Sequence, residues 1–142
     1  MNGELVDRPL PTFPHSRVQV NLTDAFKEWQ DRGELFRAIE IRLRIAENRF
    51  RIADFALFSS KLADPIPEQA PCAVIEIISP DDRFNDLMQK LADYEDAGVE
   101  FIHVADPPTW KLWRYRHGDL SSVPALELAA HQVSISLDSI FN

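Results

Sequence analysis

The chain has 142 residues, the size of one domain built around a single core. Apolar residues make up 45% of it, too many for a disordered chain, and no apolar run approaches the roughly 20 residues that cross a bilayer. With 15 Lys and Arg against 23 Asp and Glu the net charge is −8, which argues against strong non-specific nucleic-acid binding through neutralised phosphates.

An enzyme that meets nucleic acid through a local patch and a metal remains compatible with that balance. The opening "MNGELVDRP" lacks the basic region and apolar core of a signal peptide. A single cysteine, Cys72, cannot close a disulfide within the chain, and no Cys/His spacing suggests zinc. The expectation is a soluble, cytoplasmic protein with no membrane contact.

In chain order, "RPLPTFP" reads as an extended, proline-rich lead-in. A helix is expected from about Ser16 to Gln30, where Val18, Leu22, Ala25, Phe26 and Trp29 recur at helical spacing, and Gly33 stops it. Ile39, Ile41, Leu43 and Ile45 then alternate with Glu40, Arg42 and Arg44, the pattern of a strand with one wet face. "AENR" is the turn, and a second strand runs from about Phe50 to Phe58. The loop "SSKLADPIPEQAP" leads to "CAVIEIISP", a strand buried on both faces. "SPDDR" opens a helix with Asp81 or Asp82 as its cap, and Phe84, Leu87, Met88, Leu91 and Tyr94 form its apolar face up to Gly98. "EFIHVAD" and "WKLWRYR" are two further strands around Pro107-Pro108, and "VSISL" is a short alternation in the tail. The fold class is α/β, a mixed central sheet flanked by helices, with Val74 to Val104 as a parallel, right-handed crossover.

The chemistry begins with two misplaced carboxylates. If the turn sets Ala46 opposite Arg49, Leu43 faces Ile52 and Ile41 faces Asp54, and Phe50, Ile52, Asp54, Ala56 and Phe58 share a face. Asp54 is then the one charge on that face, while Glu40 points away with Arg42, Arg44 and Arg51 into an easily solvated position. Glu76 lies in the middle of the buried strand, where an unpaired carboxylate costs several kcal/mol. If the strands are neighbours, Asp54 and Glu76 converge and repel unless a proton or cation intervenes. Hard oxygen donors of this kind suit Mg²⁺. Asp86, Lys90 and Tyr94, spaced i, i+4, i+8, form one helical stripe from which Lys90 can reach Glu76.

At this point "ADF", "VIEIISP" and "DLMQKLADYEDAGVEFIHVADP" resemble the Uma-two family of bacterial endonucleases, within the PD-(D/E)XK nuclease superfamily. The resemblance covers most of the chain, from about "NGELVDRP" to "WRYR". It implies a restriction endonuclease-like core over a single domain, residues 1–142, with a shortened N-terminus. It implies Mg²⁺-dependent cleavage of DNA, with Mn²⁺ as a substitute ion and a homodimer as the assembly. Asp54 and Glu76 match the metal-binding aspartate and glutamate, and the main-chain carbonyl of Ile77 is expected as a further ligand. The superfamily's usual lysine, two residues after the glutamate, falls on the apolar Ile78, so the resemblance assigns its role to Lys90. His15 matches a histidine at the start of the family's first helix. Tyr94, His15 and Asp86 are the supporting residues. Ala53, Phe101 and His103 depart from the residues the family often carries.

Each of these residues also has an ordinary reading. Glu76 and Asp54 are either ligands or carboxylates paired at strand ends, and Lys90 is either a reaching cation or a solvated helix lysine. Tyr94 suits the core, His15 a surface or cap, His103 and His117 a structural place, Asp106 a turn, and Cys72 a small buried hydrophobe. The arginine face reads better as solvated than as a phosphate or subunit contact. The rival to an endonuclease is a nuclease-fold module, weakly active or inactive, that binds or assembles.

Overall fold

In the computed structural model, which describes residues 11–142, the Thr12 hydroxyl accepts a hydrogen bond from the His15 amide and caps helix α1 (Phe13–Ala25). Pro14 sits in the first turn, where its missing N–H costs nothing. The helix therefore starts three residues before the Ser16 expected from its apolar pattern, and only Pro11 and Thr12 of the described residues belong to the lead-in. The segment read for a signal peptide lies outside the described residues. Phe26 breaks the helix with φ −102° and ψ 8°, so a short α2 (Lys27–Asp31) follows, and Gly33, at φ +74°, turns the chain.

The hairpin pairs β1 (Phe36–Ala46) with β2 (Arg49–Phe58). Ala46 stands opposite Arg49 as the turn demands, but the register shifts between Arg44 and Ala46. A bulge of this kind inserts an extra residue and displaces everything beyond it by one position. Leu43 consequently pairs with Arg51 and Ile41 with Ala53, correcting the expected Leu43–Ile52 and Ile41–Asp54 pairs. The single apolar face expected for β2 also fails. Ala53 packs in the same cluster as Ala56 and Phe58, a three-residue step that reverses the alternation at Asp54, and Phe50, 40% exposed, lies outside the core beneath the Arg44 guanidinium.

β3 (Ala73–Ile77) is buried at all five positions because it lies inside a six-stranded sheet of order β1-β2-β3-β4-β5-β6, completed by β4 (Phe101–Asp106), β5 (Lys111–Arg116) and β6 (Asp119–Val123). β3 and β4 are parallel and every other pair is antiparallel, so the sheet is mixed as expected. A parallel pair needs a crossover, and α3 (Phe84–Asp96) supplies it. Neither Asp81 nor Asp82 caps α3. Arg83 is the N-cap, and the Asp82 carboxylate instead accepts from the Ser79 amide at 2.8 Å.

α3 covers one face of the sheet through Leu91 and Tyr94 on Val74, Ile102 and Val104. The other face, with Phe55, Leu57, Ile75 and Ile77, meets α1 and a tail formed by β7 (Ala125–Leu128), β8 (Val133–Ser136) and α4 (Leu137–Phe141). Of these tail strands only β8 is expected from its alternation; β6, with two serines and partial burial, carries no such pattern. His103 is buried, and burial, then the Arg114 charge, lowers its pKa to about 4. Burial likewise pushes the half-buried Cys72 thiol up to about 11, so it stays protonated at neutral pH.

The arginine face is not simply solvated. Arg51 donates twice to one carboxylate oxygen of Asp93 on α3, at 2.9 and 2.6 Å, Arg49 adds a third bond at 3.0 Å, and Gln89 holds the other oxygen. Burial opposes the charge on Asp93, yet these partners hold its carboxyl below the usual range. The clamp ties the hairpin to the helix turn that carries Lys90 and Tyr94. Asp93→Ala should therefore lower unfolding free energy by roughly 1–3 kcal/mol, the cost of stranding charged partners. Urea melts of parent and variant check this, and coincident curves would show that the clamp contributes nothing.

Candidate metal and active site

The β2–β3 ladder stops at Phe55–Ile75. One step further, where Asp54 stands across from Glu76, the carboxylates replace the backbone bonds. The Ile77 amide donates to Asp54 Oδ2 at 2.8 Å, and the Asp54 amide points to Glu76 Oε2 at 3.3 Å. The strands open because side chains hold their amides, and both carboxylates sit in the opening with 6% and 4% exposure.

α3 delivers two donors to Glu76. Lys90 Nζ donates to Oε1 at 2.8 Å, and the Tyr94 hydroxyl donates to Oε2 at 3.0 Å. The i, i+4 spacing read from the sequence sets them one turn apart over the same carboxylate. From α1, His15 Nε2 lies 3.3 Å from Asp54 Oδ1. A cavity of about 70 Å³ opens above these groups, and Ser79, Asp82 and Leu87 complete its wall.

The two acids behave oppositely. Burial, and after it the Asp54 charge, pushes the Glu76 carboxyl up to about 7 against the pull of Lys90 and Tyr94. Burial also opposes ionisation of Asp54, but the bonds from His15 and the Ile77 amide and the Lys90 charge hold its pKa below the ordinary value. Burial, then Glu76, keeps the Tyr94 phenol protonated far above its usual range, so it acts as a hydrogen-bond donor. With Asp54 ionised, Glu76 can ionise only by placing a second negative charge beside the first, a cost that a divalent cation would lower. All-oxygen donors at such a point fit a hard divalent ion.

The structure thus brings Asp54, Glu76, Lys90, Tyr94 and His15 together. Ile77 lines the cavity and contributes its amide to Asp54. Asp86 is exposed in the first turn of α3 and does not line the cavity. The expectation for Glu40 is corrected. The shifted register leaves it between Ile39–Phe55 and Ile41–Ala53, across from Asp54, with its backbone at φ +50°. Donor atoms of His15, Glu40 and Asp54 lie within 4.8 Å of one another. No cue in the sequence marks Glu40, because a bulge five residues away moved it. Ser79 and Asp82 were missed as well, since a turn closed by their mutual bond is read only from its conformation.

The chain matches the family model Uma2, described as "Putative restriction endonuclease", over residues 1–141. It is similar to a solved structure described as a "putative nuclease belonging to DUF820" from Anabaena variabilis. The TM-score is 0.83 at 18% identity, covering 99% of this chain and 87% of that one. At that identity the likeness shows the fold, and it agrees with the mixed sheet and flanking helices. A weaker likeness, TM-score 0.43 at 14% identity, covers 77% of this chain and 12% of a chain in a cryo-EM structure of a DrdV–DNA complex. No curated protein matches the chain.

Proposed function

Because this chain belongs to the Uma2 family, we propose that it is a Mg²⁺-dependent endonuclease hydrolysing phosphodiester bonds in DNA. The observation that carries this reading is the meeting of Asp54, Glu76 and Lys90 around one cavity. Asp54, Glu76 and the Ile77 carbonyl would hold the ion, with Mn²⁺ able to replace Mg²⁺. Bound there, the metal would lower the pKa of a water and offset charge on the scissile phosphate.

The chain's own residues divide the remaining tasks. Lys90 is 24% exposed, so its ammonium can leave Glu76 for a phosphate oxygen without unfolding the helix. Tyr94, fully buried, stays on Glu76 and fixes its rotamer. His15 orients Asp54 from the far side. Asp86, exposed at the start of α3, would act only by adjusting the Lys90 stem. We infer a homodimer too, since among the described residues β1 is an edge strand of the sheet, with its Ile39 exposed. A clean monomer in sedimentation at micromolar concentration would count against that. A cytoplasmic location accompanies a DNA substrate. Among the described residues no helix is long and apolar enough to cross a membrane.

One observation favours the rival binding module. Lys90 and Tyr94 occupy both Glu76 oxygens, and His15 and the Ile77 amide occupy both Asp54 oxygens, so internal bonds already answer much of the charge. Mg²⁺ distinguishes the two readings. A folded-state ligand raises the melting temperature by mass action, so Mg²⁺ should stabilise the parent and not Asp54→Asn, and only the parent should nick supercoiled plasmid. Equal thermal shifts in both proteins, with no cleavage by either in Mg²⁺ or Mn²⁺, would leave the binding module standing.

A further inference from the structure

We propose that His15, Glu40 and Asp54 form a second cation site, for a first-row transition-metal dication, built on the Asp54 oxygen that faces α1. It goes beyond the nuclease reading and does not depend on it. The three donors come from three elements, α1, β1 and β2, and lie within 4.8 Å of one another. Around one ion with ligand bonds of about 2.1 Å, donors stand roughly 3–4.2 Å apart. His15 and Asp54 are already 3.3 Å apart, and both are held by burial. Glu40 is exposed, so a small side-chain rotation closes the set.

The backbone is spent on this arrangement. Glu40 adopts a left-handed φ of +50° in the middle of a long strand, a conformation disfavoured for a residue with a side chain. It lies directly across from Asp54, where like charges on neighbouring strands repel. Gln19, one helical turn beyond His15, donates to Glu40 Oε2 at 2.7 Å and to the Asp54 carbonyl at 3.0 Å. That amide aims the Glu40 carboxylate and pins the neighbouring strand, the task performed by outer-shell groups at metal centres.

The ligand types choose the ion. An imidazole nitrogen with two carboxylates favours Co²⁺, Zn²⁺ or Mn²⁺ over Mg²⁺, which prefers oxygen alone. The Glu76 side of Asp54, with oxygen donors only, has the opposite preference.

The test uses the full chain carrying Glu76→Gln, so that the other carboxylate is neutral, and titrates it with Co²⁺ by calorimetry and visible absorption. This parent should bind one Co²⁺ with a visible band that Zn²⁺ abolishes and Mg²⁺ does not. Adding Glu40→Gln or His15→Ala should each weaken Co²⁺ by more than the roughly 10–100-fold that loss of an outer-shell partner costs. Circular dichroism checks that the fold survives, and Glu40→Gln, at an exposed position, stays informative if His15→Ala does not fold. The site is refuted if the parent binds no Co²⁺, or if Glu40→Gln leaves the affinity unchanged. Every protein in this titration lacks the Glu76 carboxylate, so cleavage is read on the unsubstituted chain, whose failure to cut DNA in Mg²⁺ or Mn²⁺ would overturn the nuclease reading and leave this result as it stands.

Discussion

Lys90→Ala is expected to cut DNA cleavage by roughly 10²–10³-fold, the loss seen when one electrostatic stabiliser is removed, while the fold stays intact. The side chain is partly exposed, and among the described residues its one hydrogen bond is to Glu76, so the core loses little. Glu76 feels the change. The Lys90 charge and hydrogen bond both lower its pKa, so removing them raises the carboxyl above about 7. If the ionised carboxylate is the working form, the pH–rate profile of the variant shifts to higher pH, and part of the lost rate returns there. Placing the cation at the superfamily's usual point, Lys90→Ala with Ile78→Lys, should restore some activity. Ile78 packs in the α3-side cluster that also surrounds Glu76, and its amide is anchored on the Ala105 carbonyl at 2.9 Å. A Lys90→Ala protein as fast as its parent at every pH removes the helix lysine from the chemistry.

In metal-free buffer, stability should fall as pH rises from about 5 to 8, and Glu76→Gln should remove most of that slope. The Glu76 carboxyl is pushed from 4.5 up to about 7 by burial and by Asp54. Between those values the folded chain holds a proton that the unfolded chain has released. Its contribution is therefore complete below the unfolded pKa and lost as pH passes through the folded one. The full span is worth up to about 3 kcal/mol, or roughly 10 °C in melting temperature for a domain of this size. Asp54 acts in the reverse sense, since its lowered pKa gives stability that disappears only as pH falls through the acid range. The two windows do not overlap, which makes the Glu76 effect separable. Mg²⁺ at pH 8 should recover part of the loss by neutralising the pair. Parallel melting profiles for parent and Glu76→Gln between pH 5 and 8 would show that Glu76 is ionised throughout.

Both expectations rest on how far a carboxylate in a core is relieved by its neighbours. Lys90 and Tyr94 reach Glu76 from α3, and α3 is held to the hairpin by Asp93 with Arg49 and Arg51. Loosening that clamp should affect the site only through α3, so Asp93 variants offer a control in which the carboxylates themselves are unchanged.

Periodicity and composition by themselves determined the order of helix, hairpin, buried strand, crossover helix and strands. These are local properties: apolar side chains three or four apart bury one side of a helix, and an unbroken β-branched run must lie inside a sheet. The same signals singled out Asp54, Glu76, Lys90 and Tyr94, because a charge among apolar neighbours, or a stripe at i, i+4, is visible without coordinates. The weakly patterned β6 and β7 were not visible, since they are strands only because β5 and β8 offer them partners. Tertiary structure alone decided which residues share the opening. A bulge between Arg44 and Ala46 moved Glu40 across from Asp54, the reversal at Asp54 turned its carboxylate toward the Ile77 amide, and helix α1 laid His15 and Gln19 against it. A register shift of one residue costs little locally and leaves no mark in the pattern of residue types, yet it reassigns every facing pair beyond it.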